Sequence, residues 1–214
     1  MRALPRIALA LALLAGGAAA AAEGDPAPTT TDAWLESQHV ILRRYLNVMR
    51  QAQHDFEYGY PTPTLIVPLT VDLYLTYVAH LHQIEHLALY PFVQPRLQAE
   101  RRQMVEALRK GIRSEFSAMR TLQRRWREHG GDLASPPLAE ALETVIRLVN
   151  RHIVVQEEQV FPVLYALTPE EHRALLQRLA AVERAFVPPS GRARTVQALD
   201  YLEDRIRIDS PRKW

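Results

Sequence analysis

"RHIVVQEEQVFPVL", residues 151–164, closes a long segment whose apolar residues recur at helical spacing. Leu142, Val145, Val149 and His152 form one row, and Ile146, Ile153, Val160 and Leu164 the next. A helix over about 138–166, opened by Pro136 and Pro137, would bury that wide arc. A histidine inside such a row carries polar atoms that need partners once buried. Glu157 lies in line with Ile146, Ile153 and Val160 and is expected to point inward, while Glu158 falls with Arg147 and Arg151 on a charged face. An inward carboxylate must be paired or hold a cation.

Three more segments read in the same way. Asp32 is placed to cap a helix over about 33–54, with the stripe Leu35, His39, Leu42, Leu46, Met49. The proline-rich "YGYPTPTLIVP" (58–68) is a connection, and Pro68 stands in the first turn of a second helix that is expected to stop before Pro91. Its stripe is Val71, Leu75, Val78, His82, then Glu85 or His86, then Leu89. A third helix over about 97–128 carries Val105, Leu108, Ile112, Met119, Leu122 and Trp126, with Glu115 or Phe116 between, and ends at Gly130-Gly131. Thr168-Pro169-Glu170-Glu171 is a capping box for a helix to about Phe186. Four long amphipathic segments on short connections predict an all-α chain: an up-down four-helix bundle plus a C-terminal fifth helix, over residues 33–186. Residues 187–214 read as an Arg-rich solvated tail with at most one short helix near 195–205. No Gly-rich phosphate loop or nucleophile elbow is present.

"HLHQIEH" (80–86) places three histidines and a glutamate within seven residues. Rotation of about 100° per residue puts His82 and His86 within about 40° of each other, Glu85 about 60° to the other side, and His80 about 160° away. The stretch therefore offers His82 with His86 or Glu85, and leaves His80 out. His39, His82 and His152 interrupt apolar stripes on three different helices, which a shared cation explains economically. His54, His129 and His172 fall at helix ends or on polar faces and read as surface groups.

The first residues, "MRALPRIALALALLAGGAAAAAEGDP", combine Arg2 and Arg6, an apolar run from Ile7 to Leu14 and a small-residue site at Ala20-Ala21-Ala22. Residues 1–22 read as a secretory signal peptide, too short in its apolar run to span a bilayer, followed by a flexible mature N-terminus over 23–32. Its removal lowers Lys+Arg from 26 to 24, equal to Asp+Glu, so the mature chain is formally neutral and unsuited to nucleic acid. No membrane contact is expected after cleavage, and the destination is the periplasm or the exterior. Cysteine is absent, which excludes disulfides, thiolate ligands and iron–sulfur clusters. A metal would be held by His, Asp, Glu or Tyr.

Four stretches occur in a familiar order: "QHVILRRYL" (38–46), "HQIEHLALYP" (82–91), "RHIVVQEEQVFPVL" (151–164) and "TPEEHRALLQRLAAVERAF" (168–186). With them the chain resembles the hemerythrin-like, or HHE cation-binding, domains over about residues 33–186. The resemblance implies a non-haem iron site in the bundle core, which in full form holds two irons and two bridging carboxylates. His39 and His82 stand at one iron's histidines. His86 stands where a bridging carboxylate is expected, with Glu85 one residue early. On "IRSEFSAMRTL" (112–122), Phe116 falls on a histidine position and Arg120 on a second. His152 matches, Glu157 matches the other bridge, and Gln156 stands at the alternative carboxylate position.

The resemblance thus implies one ion more than two, held by His39, His82, His86, His152 and Glu157, with Glu85 and Glu115 as secondary candidates. Phe116 would line the vacated half. The expected ion is iron, with Mn or Zn compatible with the same donors. The expected function is an exported protein that binds or senses O2, NO or a related oxidant, a binder more than an enzyme. A metal-dependent oxidoreductase acting on peroxide or another small oxidant, and a metal-free bundle kept as a binding or structural module, are the competing readings.

Overall fold

The computed structural model describes residues 28–57, 66–129, 135–186 and 191–209. The signal peptide expected over 1–22 lies outside the described residues, as does most of the connection at 58–65. Six helices account for the described chain, with no strand among the described residues: α1 (Thr31–Glu57), α2 (66–93), α3 (Ala99–Glu128), α4 (136–165), α5 (Pro169–Phe186) and α6 (Gly191–Asp209). None is long and apolar enough to cross a membrane.

Side-chain pairs fix the topology. Arg43 meets Glu157 and Arg50 meets Asn150, so α1 and α4 are antiparallel. Tyr77 donates to Gln38, while Val48 and Ala52 pack near Leu69, so α1 and α2 are antiparallel. His82 meets Glu115 and Gln94 meets Glu106, which reverses α3 against α2. α3 and α4 make the most extensive helix pair, and Arg125 shares a cleft with Pro137. This is the expected up-down bundle. Its core runs from Leu35 and Leu42 through Tyr74, Leu89, Met119, Leu142 and Val149 to Leu164, all nearly fully buried.

The interruptions of α2 and α4 position everything that follows. Wide π-turns, with i→i+5 bonds, occupy Tyr74–Val78 and Glu85–Leu89 in α2 and Gln156–Val160 in α4. Two of them lie directly before Tyr90-Pro91 and Phe161-Pro162. Proline has no N–H to give the carbonyl four residues back, and its ring crowds that carbonyl. Opening one turn relieves the crowding, so α2 continues through Pro91 to Val93 where the sequence reading ended it. The carbonyl of Leu87, left without its helical donor, accepts Arg178 Nη2 of α5 at 3.1 Å.

Each π-turn also adds one residue to the helical count. In α4 the buried positions step Leu142, Val145, Val149, His152, Gln156, then Val160 and Leu164 in place of residues 159 and 163 of an uninterrupted helix. Gln156, one regular turn after His152, is buried, while Glu157 beside it is part-exposed. In α2 it is Tyr74, not Leu75, that is buried.

The last two helices clasp the bundle. The expected capping box forms: the Glu171 N–H donates to Thr168 Oγ1 at 3.2 Å, and the Thr168 N–H to Glu171 Oε2 at 3.0 Å. His172, read as a surface group, instead accepts the Thr31 N–H at 3.2 Å and ties α5 to the start of α1. The solvated tail is also corrected. α6 buries Leu199 and Leu202, and Arg44 of α1 binds both Asp200 and Glu203. Two leucines one turn apart supply an apolar edge that an Arg-rich composition hides.

Candidate metal centre

At mid-height of the bundle α2 gives His82 and Glu85, α3 gives Glu115, and α4 gives His152; none is more than 4% exposed. The four form a closed ring in which histidine and glutamate alternate. His82 Nδ1 lies 3.1 Å from Glu85 Oε2, and His82 Nε2 lies 3.2 Å from Glu115 Oε2. His152 Nδ1 lies 3.0 Å from Glu115 Oε1, and His152 Nε2 lies 3.2 Å from Glu85 Oε2. The last contact is not aligned as a hydrogen bond, so Nε2 of His152 is a buried polar atom without a partner. The two imidazole centroids are 4.6 Å apart.

Further polar side chains brace the carboxylates. Tyr74 OH donates to Glu115 Oε2 at 2.6 Å, and Tyr90 OH to Glu85 Oε2 at 3.3 Å. Gln156 Nε2 donates to Glu85 Oε1 at 2.9 Å and to Tyr90 OH at 2.7 Å. Tyr74, Glu85 and Gln156 are the first residues of the three π-turns, so each wide turn delivers a side chain to this network. Phe116 stands edge-on to both His82 and Tyr74, with centroids at 5.9 and 6.0 Å.

The charges are strongly coupled. Burial opposes ionisation of Glu85 and Glu115, but the facing His152 and His82 outweigh it and hold both carboxyls far below the usual range. Burial likewise opposes the charged form of His152, yet Glu115 and Glu85 push its pKa up to about 10; His82 is raised for the same reasons. Burial keeps the Tyr74 and Tyr90 phenols protonated, as donors.

The residues fit a cation. His82, Glu115 and His152 each offer a ligand atom within 4.8 Å of the others. The nitrogens facing Glu115 are His82 Nε2 and His152 Nδ1; the opposite nitrogens both face Glu85 Oε2. For His82 this is the arrangement of a metal-binding histidine, one nitrogen for the ion and the other held by a carboxylate that sets the tautomer; His152 Nε2 faces the same carboxylate without an aligned hydrogen bond. Two imidazoles and one carboxylate also suit divalent first-row ions. Without a cation, all four ring nitrogens can be satisfied only as two imidazolium ions packed side by side. One divalent cation replaces the two extra protons at unchanged total charge.

Of the expected ligands, His82 and His152 meet here, with Glu85 and Glu115 from the secondary set. His39 is buried but stands one step out: its Nε2 meets Gln156 Oε1 at 2.7 Å and its Nδ1 meets Glu157 Oε1 at 3.1 Å. Glu157 is corrected from inward to the bundle surface, since the buried row runs through His152 and Gln156, and both its oxygens are taken by Arg43 Nη2 at 2.6 and 2.7 Å. His86 is corrected from inward to exposed, beside Arg109. The buried face of α2 is centred on Leu81, Glu85 and Ala88, so of the two neighbours of His82 it is Glu85 that faces the core. Sequence reasoning missed Tyr74, Tyr90 and Gln156. A usable signal was present: Glu85 and Gln156 each lie six residues before the proline of a Tyr-Pro or Phe-Pro pair.

The family model for the hemerythrin HHE cation binding domain matches residues 30–164. No curated protein and no solved structure matches the chain.

Proposed function

As the chain belongs to the hemerythrin HHE cation-binding domain family, we propose that it is an exported protein that holds one non-haem iron ion and binds or senses O2, NO or a related small oxidant. The observation that carries this reading is the convergence of His82 Nε2, His152 Nδ1 and Glu115, with Glu85 behind both imidazoles. When bound there, iron supplies one-electron redox chemistry and a coordination position for a small ligand. The protein's own groups orient and shield. Tyr74 and Glu85 fix the ligands, and Phe116 with the surrounding aliphatic core keeps water from them. A site so enclosed favours a diatomic or peroxide-sized reactant over a larger substrate.

One ion is favoured over two because the flanking position beside His39 already has its charge. Arg43 neutralises Glu157, and Gln156 is an amide where a second site would call for a carboxylate. Export rests on the leader composition of residues 1–22. The test is titration of the anaerobic Fe(II)-loaded protein with NO, followed optically. A saturable change at one equivalent, lost in His152→Ala, supports the proposal; no change with iron stoichiometrically bound removes the ligand-binding part of it.

A second reading is a metal-free structural core. The charge balance of two imidazolium and two carboxylate groups favours it, since the ring closes on itself. Against it stands the stability that such a core gives up relative to aliphatic packing.

A further inference from the structure

A hydrogen-bonded chain leaves the ring and reaches solvent. Gln156 Nε2 holds Glu85 Oε1, Gln156 Oε1 meets His39 Nε2, His39 Nδ1 meets Glu157, and Glu157 is gripped by Arg43. The chain surfaces in a cleft of about 390 Å3 lined by Glu36, His39, Val40, Arg43, Phe161 and Tyr165, together with Glu157. We infer that Gln156 and His39 are positioning residues that couple the Arg43–Glu157 pair in this cleft to the cation affinity of the buried histidines. The inference rests on the metal-binding reading above.

The coupling follows from donors and acceptors. Glu85 Oε1 accepts only if the Gln156 amide presents its nitrogen inward, which points its oxygen at His39. That oxygen is satisfied only while His39 Nε2 carries hydrogen. Glu157 faces the other ring nitrogen and, gripped by Arg43, holds the ring in place. Removing the Glu157 charge weakens that hold, and a ring that turns withdraws its Nε2 from the Gln156 oxygen. The Gln156 amide would then be free to turn, and Glu85 would lose the donor to Oε1 that fixes its place beside His82 Nδ1 and His152 Nε2. Glu157 and Arg43 make no hydrogen bond to a ring residue, so this chain is their hydrogen-bonded route to it, and the cycle below separates it from a through-space effect of charge.

The experiment is a double-mutant cycle read as Co(II) affinity by chelator competition, with the Co(II) visible spectrum as a second readout. Gln156→Leu is expected to weaken binding by up to the roughly ten- to a hundredfold that follows loss of a group directly behind a metal ligand, since it braces Glu85, which stands behind both imidazoles. Glu157→Gln and the exposed Arg43→Gln are each expected to weaken it by a smaller factor and shift the spectrum. In the Gln156→Leu background Glu157→Gln should do nothing further. Additive effects, or wild-type affinity and spectrum in both surface variants, overturn the coupling while leaving the metal site standing. Because Arg43 and Glu157 are surface groups, their single variants decide the question even if Gln156→Leu does not fold. A wild-type protein that binds no Co(II) overturns the metal reading and the coupling together.

Discussion

At the scale of the residue, chemistry is decided by which neighbour of His82 faces the core. Glu85 and His86 were both legible as candidates, since helical rotation alone places them on either side of His82. What rotation could not supply was the centre of the buried face, which neighbouring helices set through Leu81 and Ala88. Glu115 has the same history: it shared a core position with Phe116 as a secondary candidate, and it faces both histidines. Tyr74→Phe removes a donor to that carboxylate and is expected to cost about 1.5–3 kcal/mol in urea denaturation, the range for a hydrogen bond to a charged group. His86→Ala should stay within about 0.5 kcal/mol of wild type and keep the full metal content, as expected of an exposed side chain. A loss of metal in His86→Ala would restore it to the ligand set and contradict the geometry.

At the scale of the element, all six described helices were foreshadowed, α6 only as a short helix in a solvated tail, because apolar period and end signals are local properties. The π-turns were not foreseen. Two of the three arise where a proline continues a helix that tertiary packing has already committed, and a proline in sequence reads first as a stop. One unforeseen residue of phase put Val160 and Leu164 in the core where an uninterrupted helix would put residues 159 and 163. Deleting Glu158 tests this account of α4. The deletion removes the extra residue, so Val160 and Leu164 keep their place in the apolar stripe and the chain should fold with nearly unchanged helical circular dichroism. Inserting one alanine after Leu148, in the regular part of α4, should instead unfold the bundle, because every core residue beyond it rotates by about 100°.

At the scale of the whole molecule, the clasp of α6 and the buried ring set stability. Truncation before Gly191 uncovers Val48 and Leu69 and removes Leu199 and Leu202. At about 1.5–3 kcal/mol per large buried side chain, the melting temperature should drop by several degrees or more. The ring makes stability depend on pH in a direction that metal alters. Glu85 and Glu115 are held low, so their contribution is fully present above their ordinary value of 4.5 and is lost as pH falls below it. His82 and His152 are raised, so theirs is fully present below 6.5 and is lost as pH rises, for His152 through about 10. The metal-free protein should therefore melt highest between these two ordinary values and soften on the alkaline side. A bound cation takes the place of the extra protons, and that alkaline loss should vanish. The most direct measurement is the metal content of the protein purified after anaerobic Fe(II) loading, by elemental analysis and native mass spectrometry. The account predicts one ion per chain in wild type and none in Glu115→Gln or His152→Ala. Two ions per chain, or none in wild type, would contradict it.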